Sequence, residues 1–134
     1  MEHVMSNEPA HFRSLYIWQY AQALAEVVMI EVAKLPHDRS VDAIVAQLLR
    51  SAGSVPANFA EGYGRFYQAA YRNHLSIGRG SLYETESWID LLFRTGYLSA
   101  ETNARLISSC QELGKLLTSR MKALETKPSD RFVN

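Results

Sequence analysis

The stretch from Gln47 to Arg65 constrains the fold more than any other part of the chain. Its polar side chains recur at steps of three and four residues, which keeps them on one face of an α-helix for five turns. They are Gln47, Arg50, Ser54, Asn58, Glu61 and Arg65. Apolar residues between Ile44 and Phe59 fall on the other side, so the pattern predicts a long amphipathic helix with one buried face.

Pro56 lies in the middle of this predicted helix. It offers no N–H to the carbonyl of Ala52, and a proline in a helix interior costs about 3 kcal/mol. The helix therefore either kinks at Pro56 or stops and restarts with Ser54 as its N-cap. We expect the kink, because the polar positions keep their phase on both sides of the proline. Gly62 and Gly64 are expected to end the helix in the left-handed conformation.

Three further helices are predicted from apolar spacing and from start and stop signals. Helix one is expected to run from about Ser14 to Lys34, and helix two from Asp38 or Ser40 to Gly62. Helix three is expected to run from about Gln68 to Thr95, and helix four from about Ser99 to Lys127. Helix one carries two adjacent apolar rows, Leu15, Trp18, Ala25, Met29 and Val32 beside Ile17, Ala21, Leu24 and Val28. Short connections between four helices favour an all-α, antiparallel up-down-up-down four-helix bundle.

Length and composition fit a single domain, 1–134, with flexible ends at 1–12 and 126–134. The 14 basic and 14 acidic residues give a formal net charge of zero, which is no global signal for nucleic-acid binding. No apolar run approaches the ~20 residues that span a bilayer. The first residues lack the pattern of a signal peptide, and one cysteine excludes an internal disulfide, so we expect a cytoplasmic protein.

The central stretch, QLLRSAGSVPANFAEGYGR, resembles the helix-two signature of the four-helix-bundle proteins called the 23S rRNA intervening-sequence protein family. The resemblance covers roughly 15–124, and its specific parts are Asn58–Gly62 and Gly80–Glu84. Such proteins are similar in fold to the accessory variability protein of diversity-generating retroelements, a basic pentamer that binds nucleic acid and a reverse transcriptase. The resemblance implies a homopentamer with RNA or an RNA-handling protein as partner. The family name records where its genes were first noticed and implies no activity.

A local excess of arginine is the feature that favours nucleic-acid binding. The charged residues of the central region are Arg50, Glu61, Arg65, Arg72 and Arg79, interleaved with Tyr63, Phe66, Tyr67 and Tyr71. Arginine beside exposed aromatic rings suits contacts to phosphates and stacked bases. The side chains expected to contact nucleic acid are Arg65, Arg72, Arg79 and Tyr67. The alternative is a solvated face with salt bridges between subunits, and the zero net charge departs from the basic accessory proteins.

A carboxylate on the mostly apolar row of helix three needs a partner. Glu84 shares that row with Ile77 and Trp88, and an unpaired buried charge is very costly. Arg50 is the natural partner, so the sequence predicts either an Arg50–Glu84 pair or a wider polar network. That network would comprise Gln47, Arg50, Ser54, Asn58, Glu61, Ser81 and Glu84. It is either a buried network or a surface between subunits, and a catalytic acid at Glu84 is disfavoured because ion pairs also perturb carboxylates.

The sequence contains no pattern that predicts an enzyme, a metal site or a cofactor. Its one Glu-x-x-His, Glu8–His11, lies before the first predicted helix, and the remaining histidines are scattered. Cys110 sits in an apolar row with no histidine nearby, which is typical of a small buried hydrophobe. Gly78–Ser81 is glycine-rich but follows no strand, so we expect close helix packing at Gly78 and Gly80 rather than a phosphate-binding loop. The prediction is a non-enzymatic scaffold or adaptor for RNA or an RNA-handling protein such as a reverse transcriptase, and the alternative is a structural or partner-binding bundle with no nucleic-acid role.

Overall fold

The computed structural model describes residues 10–126, the side chain of Thr126 excepted, and within this range the regular structure is entirely helical. A short 3₁₀ helix, Phe12–Ser14, precedes α1 (Tyr16–Val32), α2 (Arg39–Tyr63), α3 (Gln68–Arg94) and α4 (Ala100–Thr126). The prediction of an all-α bundle of four helices is confirmed.

The predicted flexible ends fall mainly on 1–9 and 127–134, which lie outside the described residues. Where the predicted N-terminal end overlaps the structure, it makes a specific contact. The hydroxyl of Tyr63 donates a hydrogen bond to the carbonyl of Ala10 at 2.8 Å. The ring of Phe12 also packs edge-on against Trp18, with 5.2 Å between ring centroids. The chain just before α1 is therefore held against the end of the bundle.

The helix boundaries follow local signals that the sequence contains. Asp38 caps α2, because its carboxylate accepts a hydrogen bond from the backbone N–H of Val41 at 2.9 Å. The hydroxyl of Ser99 accepts from the N–H of Thr102 at 3.0 Å and caps α4. Gly96 follows α3 with a φ of +89°, the left-handed conformation that glycine adopts cheaply. The predicted helix starts near Asp38 and Ser99 are confirmed.

The end of α2 differs from the prediction. Gly64 has a φ of −79° and Gly62 is an internal helical residue, so neither glycine adopts the left-handed conformation. Gly62 is instead buried beneath α3. A Cβ built on Gly62 would lie 2.5 Å from the Cβ of His74 and 3.2 Å from the carbonyl oxygen of Tyr71. Gly62 is therefore required because α2 and α3 approach each other closely there. A rule about helix ends considers only neighbours in sequence and does not predict such a contact.

Helix α2 continues through Pro56 without interruption from Arg39 to Tyr63. The alternative in which the helix stops and restarts at Ser54 is therefore wrong. Pro56 is buried with the rest of the inner face of α2. The kink at Pro56 stays a prediction.

Polar contacts between helices show how neighbouring helices run. Asn58 on α2 lies beside His74 on α3, whereas Arg50, earlier on α2, lies beside Glu84, later on α3. Residue numbers therefore fall along one helix as they rise along the other, and α2 and α3 are antiparallel. Helices α3 and α4 are antiparallel for the same reason, because Arg79 contacts Thr118 and residues nearer the start of α3 contact the end of α4. Helix α1 packs on α2 and α4.

The apolar rows of the sequence are only partly buried. The second row of α1, Ile17, Ala21, Leu24 and Val28, lies in the core as predicted. Met29 of the first row is 60% exposed. Helix α1 packs mainly on α2 and α4, and these two helices do not cover the whole width of its apolar face. Ile77 on α3 is 45% exposed for a similar reason.

The two glycines inside α3 differ in their surroundings. Gly78 is buried, and a Cβ there would lie 3.6 Å from the backbone oxygen of Val55, so the predicted close packing exists at this position. Gly80 is exposed, with nothing within 4 Å of a built Cβ. The same expectation is therefore wrong for Gly80.

Candidate functional site

The first polar cluster between α2 and α3 centres on the ion pair of Arg50 with Glu84. Arg50 Nε also donates to Gln47 Oε1 at 3.2 Å, and the indole N–H of Trp88 donates to Glu84 Oε2 at 3.0 Å. The side chain of Arg50 is 58% exposed and that of Glu84 is 35% exposed. The predicted pair therefore exists, but it lies at the surface of the chain and not in its core.

The second polar cluster is a separate chain of hydrogen bonds. The hydroxyls of Ser54 and Ser81 lie 2.9 Å apart, and the amide nitrogen of Asn58 donates to Ser54 Oγ at 2.9 Å. The amide oxygen of Asn58 then faces Nδ1 of His74 at 3.0 Å. Because this oxygen can only accept, His74 carries its hydrogen on Nδ1. The predicted seven-residue network is thus divided into two clusters, and His74 and Trp88 are members that the sequence did not indicate.

Glu61 continues the second cluster onto the surface. Its carboxylate accepts a hydrogen bond from Arg65, one turn later on the chain, and lies 3.7 Å from Nε2 of His74. The hydrogen bond from Arg65 and then the charge of His74 hold the pKa of Glu61 below its ordinary value. Glu61 is therefore an ionised partner of Arg65, and much of the charge of Arg65 is already matched.

A buried hydrogen-bonded pair, Ser51 and Thr85, was missed by the sequence analysis. Both side chains are fully buried at the α2–α3 contact, and their hydroxyl oxygens lie 2.9 Å apart. Ser51 also donates to the carbonyl of Leu48 at 3.1 Å, and the Thr85 hydroxyl lies 2.9 Å from the carbonyl of Ser81. Short hydroxyl side chains occur on exposed faces as well, so no sequence signal singled out this pair.

The structure separates the four side chains predicted to contact nucleic acid into two sites. Arg65 and Tyr67 line a cavity of about 340 Å³ at one end of the bundle, together with Arg120 on α4. Arg72 and Arg79 line a second cavity, between α3 and α4. Arg72 is paired there with a carboxylate near the end of α4, with 3.4 Å between nitrogen and oxygen. The two sites lie in the same half of the bundle.

A wider groove between α3 and α4 has a volume of about 700 Å³. We call it the α3–α4 groove and define it by Arg79, Tyr83, Glu86, Gly114, Lys115 and Lys122. Arg79 is held in place on both sides, because its Nε donates to Thr118 Oγ1 at 2.9 Å and its Nη2 donates to Tyr83 Oη at 2.8 Å. Its guanidinium carbon lies 4.8 Å from the centroid of the Tyr83 ring. These partners are neutral, so the charge of Arg79 is not compensated by them.

Basic residues are concentrated in the half of the bundle that holds the groove. Residues 61–79 and 115–125 contain six basic and two acidic side chains, an excess of four positive charges in a chain whose formal net charge is zero. The basic residues are Arg65, Arg72, Arg79, Lys115, Arg120 and Lys122. The contact of Arg79 with Thr118 and the bond from Gln68 to the carbonyl of Leu124 show that the two segments are adjacent. We call this region the basic half.

The α4 members of the basic half were missed by the sequence analysis. Lys115 and Lys122 are seven residues apart, which places them on one face of α4. That spacing was available in the sequence, but only the packing of α4 against α3 shows that this face meets Arg79. The charge excess belongs to two segments that are distant in sequence and adjacent in space.

Groups that could perform covalent chemistry are few among residues 10–126. Cys110 is fully buried, and burial raises the pKa of its thiol to about 12, so it is a protonated, apolar side chain. This agrees with the prediction of a small buried hydrophobe. In the described part of the chain, no group of three or more His, Cys, Asp or Glu side chains is placed to hold a metal ion. No helix in that part combines the length and apolar character that a membrane span needs.

The fold and this site together define a four-helix-bundle protein with a basic groove between α3 and α4. The chain belongs to the 23S rRNA-intervening sequence protein family, whose sequence profile matches residues 13–119. It is also similar to the crystal structure of a protein of unknown function from the S23 ribosomal protein family of Bacteroides thetaiotaomicron. The two chains are 28% identical, with a TM-score of 0.74 over 79% of this chain and 95% of the other. No protein with a curated description matches the chain.

Proposed function

We propose that the protein is a non-enzymatic, oligomeric scaffold of the cytoplasm that binds RNA through its basic half. The observation that carries this proposal is the α3–α4 groove, in which Arg79 is fixed by neutral partners and faces Lys115 and Lys122 across the groove. An arginine that is positioned before binding loses less conformational entropy when it contacts a phosphate. An RNA-handling protein such as a reverse transcriptase is the companion partner in this proposal.

The charge distribution supports RNA more than a neutral protein partner. Nucleic-acid binding depends on local clusters of Lys and Arg, because each contacted phosphate releases condensed counterions. The excess of positive charge in the basic half supplies such a cluster in a chain with no net charge. Tyr67 in the basic half and Tyr83 in the α3–α4 groove are 59% and 54% exposed, and aromatic faces stack on unpaired bases.

Exposed apolar side chains support assembly into an oligomer. Ile77 and Leu91 on α3 are 45% and 39% exposed, and Met29 and Ile30 on α1 are 60% and 59% exposed. Apolar surface of this kind is typical of interfaces between proteins. We propose that a second copy of the chain covers part of it, with five subunits as the number that the family resemblance implies. Light scattering on the purified protein tests this assembly, and a monomer at micromolar concentration would contradict it.

The RNA-binding proposal is tested by fluorescence anisotropy with a labelled structured RNA. If Arg79, Lys115 and Lys122 each contact one phosphate, the affinity for RNA should fall about 40-fold between about 50 mM and 200 mM salt. Arg79→Gln should weaken binding at every salt concentration and reduce the slope of log affinity against log salt by about one. The matched control is Arg94→Gln, the same change near the other end of α3, where Arg94 Nε is paired with Asp90 at 2.6 Å.

The outcome separates the two candidate functions. Loss of affinity in Arg79→Gln with none in Arg94→Gln supports the basic half as the RNA surface. No binding of RNA at low salt by the assembled protein would refute RNA binding and favour the alternative, a structural or partner-binding bundle. Equal loss in both variants would show a non-specific effect of net charge and would contradict the assignment of the groove.

A further inference from the structure

The floor of the α3–α4 groove is open because Gly114 has no side chain. Gly114 is buried, and a Cβ built on it would have only one atom within 4 Å, Leu82 Cδ2 at 3.7 Å. That is an ordinary contact distance, so packing against α3 does not require glycine at this position. Glycine inside a helix costs about 1 kcal/mol relative to alanine. The residue that lowers helix stability here is also the one that leaves depth in the groove.

The two ends of the groove differ in chemistry. Arg79 and Lys122 lie toward one end, with Thr118 between the helices. Glu86 and Gln111 lie toward the other end, since the two helices are antiparallel. Arg79 and Glu86 are seven residues apart on one face of α3, which corresponds to about 10 Å along the helix axis.

Glu86 is a carboxylate with open hydrogen-bonding capacity. It is partly buried beside Cys110, and burial raises its pKa above the ordinary value. Neither its own helix nor α4 supplies it with a hydrogen bond or an ion pair, although Lys115 lines the same groove. An ionised carboxylate offers two oxygens that accept hydrogen bonds side by side. Because no protein group occupies these two oxygens, a ligand in the groove can donate to both of them.

We propose that the α3–α4 groove binds a single unpaired guanine nucleotide, with its phosphate at Arg79 and Lys122 and its base between Tyr83 and Glu86. This inference rests on the proposed RNA-binding function and adds the identity of the base that is read. The distance from the phosphate of a nucleotide to the far edge of its base matches the separation of Arg79 and Glu86 along α3. The source of the nucleotide is either an unpaired position in an RNA strand or a free guanine nucleotide.

Guanine is selected because of the donors on its Watson–Crick edge. N1–H and the N2 amino group of guanine are adjacent donors, and they match the two oxygens of the Glu86 carboxylate. Adenine and cytosine each place an acceptor beside their amino group, and uracil places its single donor between two acceptors. A two-point contact between a side chain and the matching base typically discriminates about tenfold or more against other bases.

The test compares short oligouridylates that carry one guanine or one adenine, by anisotropy at low salt. The unmodified protein should bind the guanine strand about tenfold more tightly. Glu86→Gln should abolish this preference, because glutamine has one acceptor and one donor in place of two acceptors. If Glu86 acted only through its negative charge, the same variant would strengthen binding of both strands equally.

A second variant tests the depth of the groove independently of charge. Gly114→Ala should weaken binding of both strands while raising the melting temperature, since the methyl group fills the groove floor and stabilises α4. Gly53→Ala is its control, because Gly53 is an exposed helical glycine of α2 with nothing within 4 Å of a built Cβ. It should raise the melting temperature and leave binding unchanged.

Guanosine monophosphate and the two strands separate the possible outcomes. Guanine preference that disappears in Glu86→Gln supports the inference. Direct binding of a fluorescent guanosine monophosphate without strand binding supports it with a free nucleotide as the source and refutes the proposed RNA function. Strand binding without guanine preference overturns the inference and leaves the proposed function standing. Absence of binding by every probe at low salt overturns both.

Discussion

Gly62 on α2 and His74 on α3 are in such close contact that a Cβ on Gly62 would lie 2.5 Å from the Cβ of His74. No pair of carbon atoms in an ordinary side-chain contact approaches so closely, because such contacts lie near 3.5–4.0 Å. The same region contains the hydrogen bond between Asn58 and His74, at 3.0 Å. Gly62 therefore sets the distance between α2 and α3 at the position where their polar side chains meet.

Replacement of Gly62 by alanine should destabilise the protein. The nearest atoms are a Cβ and a backbone oxygen, which cannot rotate away, so the helices must separate at a cost of about 1–3 kcal/mol. Urea denaturation followed by circular dichroism measures the change. Gly53→Ala is the matched control and should stabilise by about 0.5–1 kcal/mol. Equal changes in the free energy of unfolding for the two variants would show that a methyl group at position 62 meets no clash.

Replacement of Arg50 by alanine should have little effect on stability. The sequence alone implies a strong effect, because it places Glu84 on a mostly apolar row, where an unpaired buried charge is very costly. In the structure both partners are substantially exposed, and Trp88 also donates to Glu84 at 3.0 Å. We therefore expect Glu84 to keep one partner when Arg50 is removed. Exposed ion pairs contribute about 0–1 kcal/mol, so the free energy of unfolding should fall by less than about 1 kcal/mol. A loss well above this in urea denaturation would mean that the pair is covered in the assembled protein.

The buried hydroxyl pair of Ser51 and Thr85 should show coupling in a double-mutant cycle. Thr85→Val or Ser51→Ala removes one partner of a buried hydrogen bond, so each should cost about 1 kcal/mol. The double variant should cost less than the two single changes together, because no polar group is then left without its partner. Ser87→Ala, on the exposed face of α3, should change stability by less than about 0.5 kcal/mol. Strict additivity of the two single variants would refute the coupling.

Replacement of Glu86 by glutamine should stabilise the protein at neutral pH. Burial raises the pKa of Glu86, so the folded state holds this proton more tightly than the unfolded state does. That contribution favours the folded state at low pH and is lost as the pH rises through the folded pKa. Glutamine cannot ionise, so the variant should be more stable than the unmodified protein at pH 7 and equally stable near pH 4. Solvent screening of this partly exposed group keeps the gain at pH 7 below about 1 kcal/mol.

Urea denaturation at both pH values measures the gain from Glu86→Gln. The titratable groups beside Glu86 in the groove are Lys115 and Cys110, and burial raises the pKa of the Cys110 thiol to about 12, so it stays protonated at both pH values. Glu112→Gln, at an exposed position of α4, controls for the change in net charge. A gain at pH 4 as large as that at pH 7 would contradict the assignment to ionisation. A more stable variant that loses guanine preference would show that Glu86 is kept for binding and not for folding.

The sequence alone determined the helices and the fold class. The polar spacing of Gln47–Arg65 predicted the long α2, and the predicted helix starts near Asp38 and Ser99 were correct. These features are determined by neighbours within a few residues, through helix period and backbone hydrogen bonds. The family resemblance was recognised from the same stretch and is confirmed.

The tertiary structure alone decided which side chains meet. It joined Arg79 with Lys115 and Lys122 across two helices, and it left Glu84 at the surface although its row of α3 looked buried. The rotation of each helix about its axis, and the depth to which helices approach each other, are set by packing of the whole core. Spacing within one helix fixes which residues share a face, but only the neighbouring helix decides whether that face becomes a core, a groove or an exposed surface.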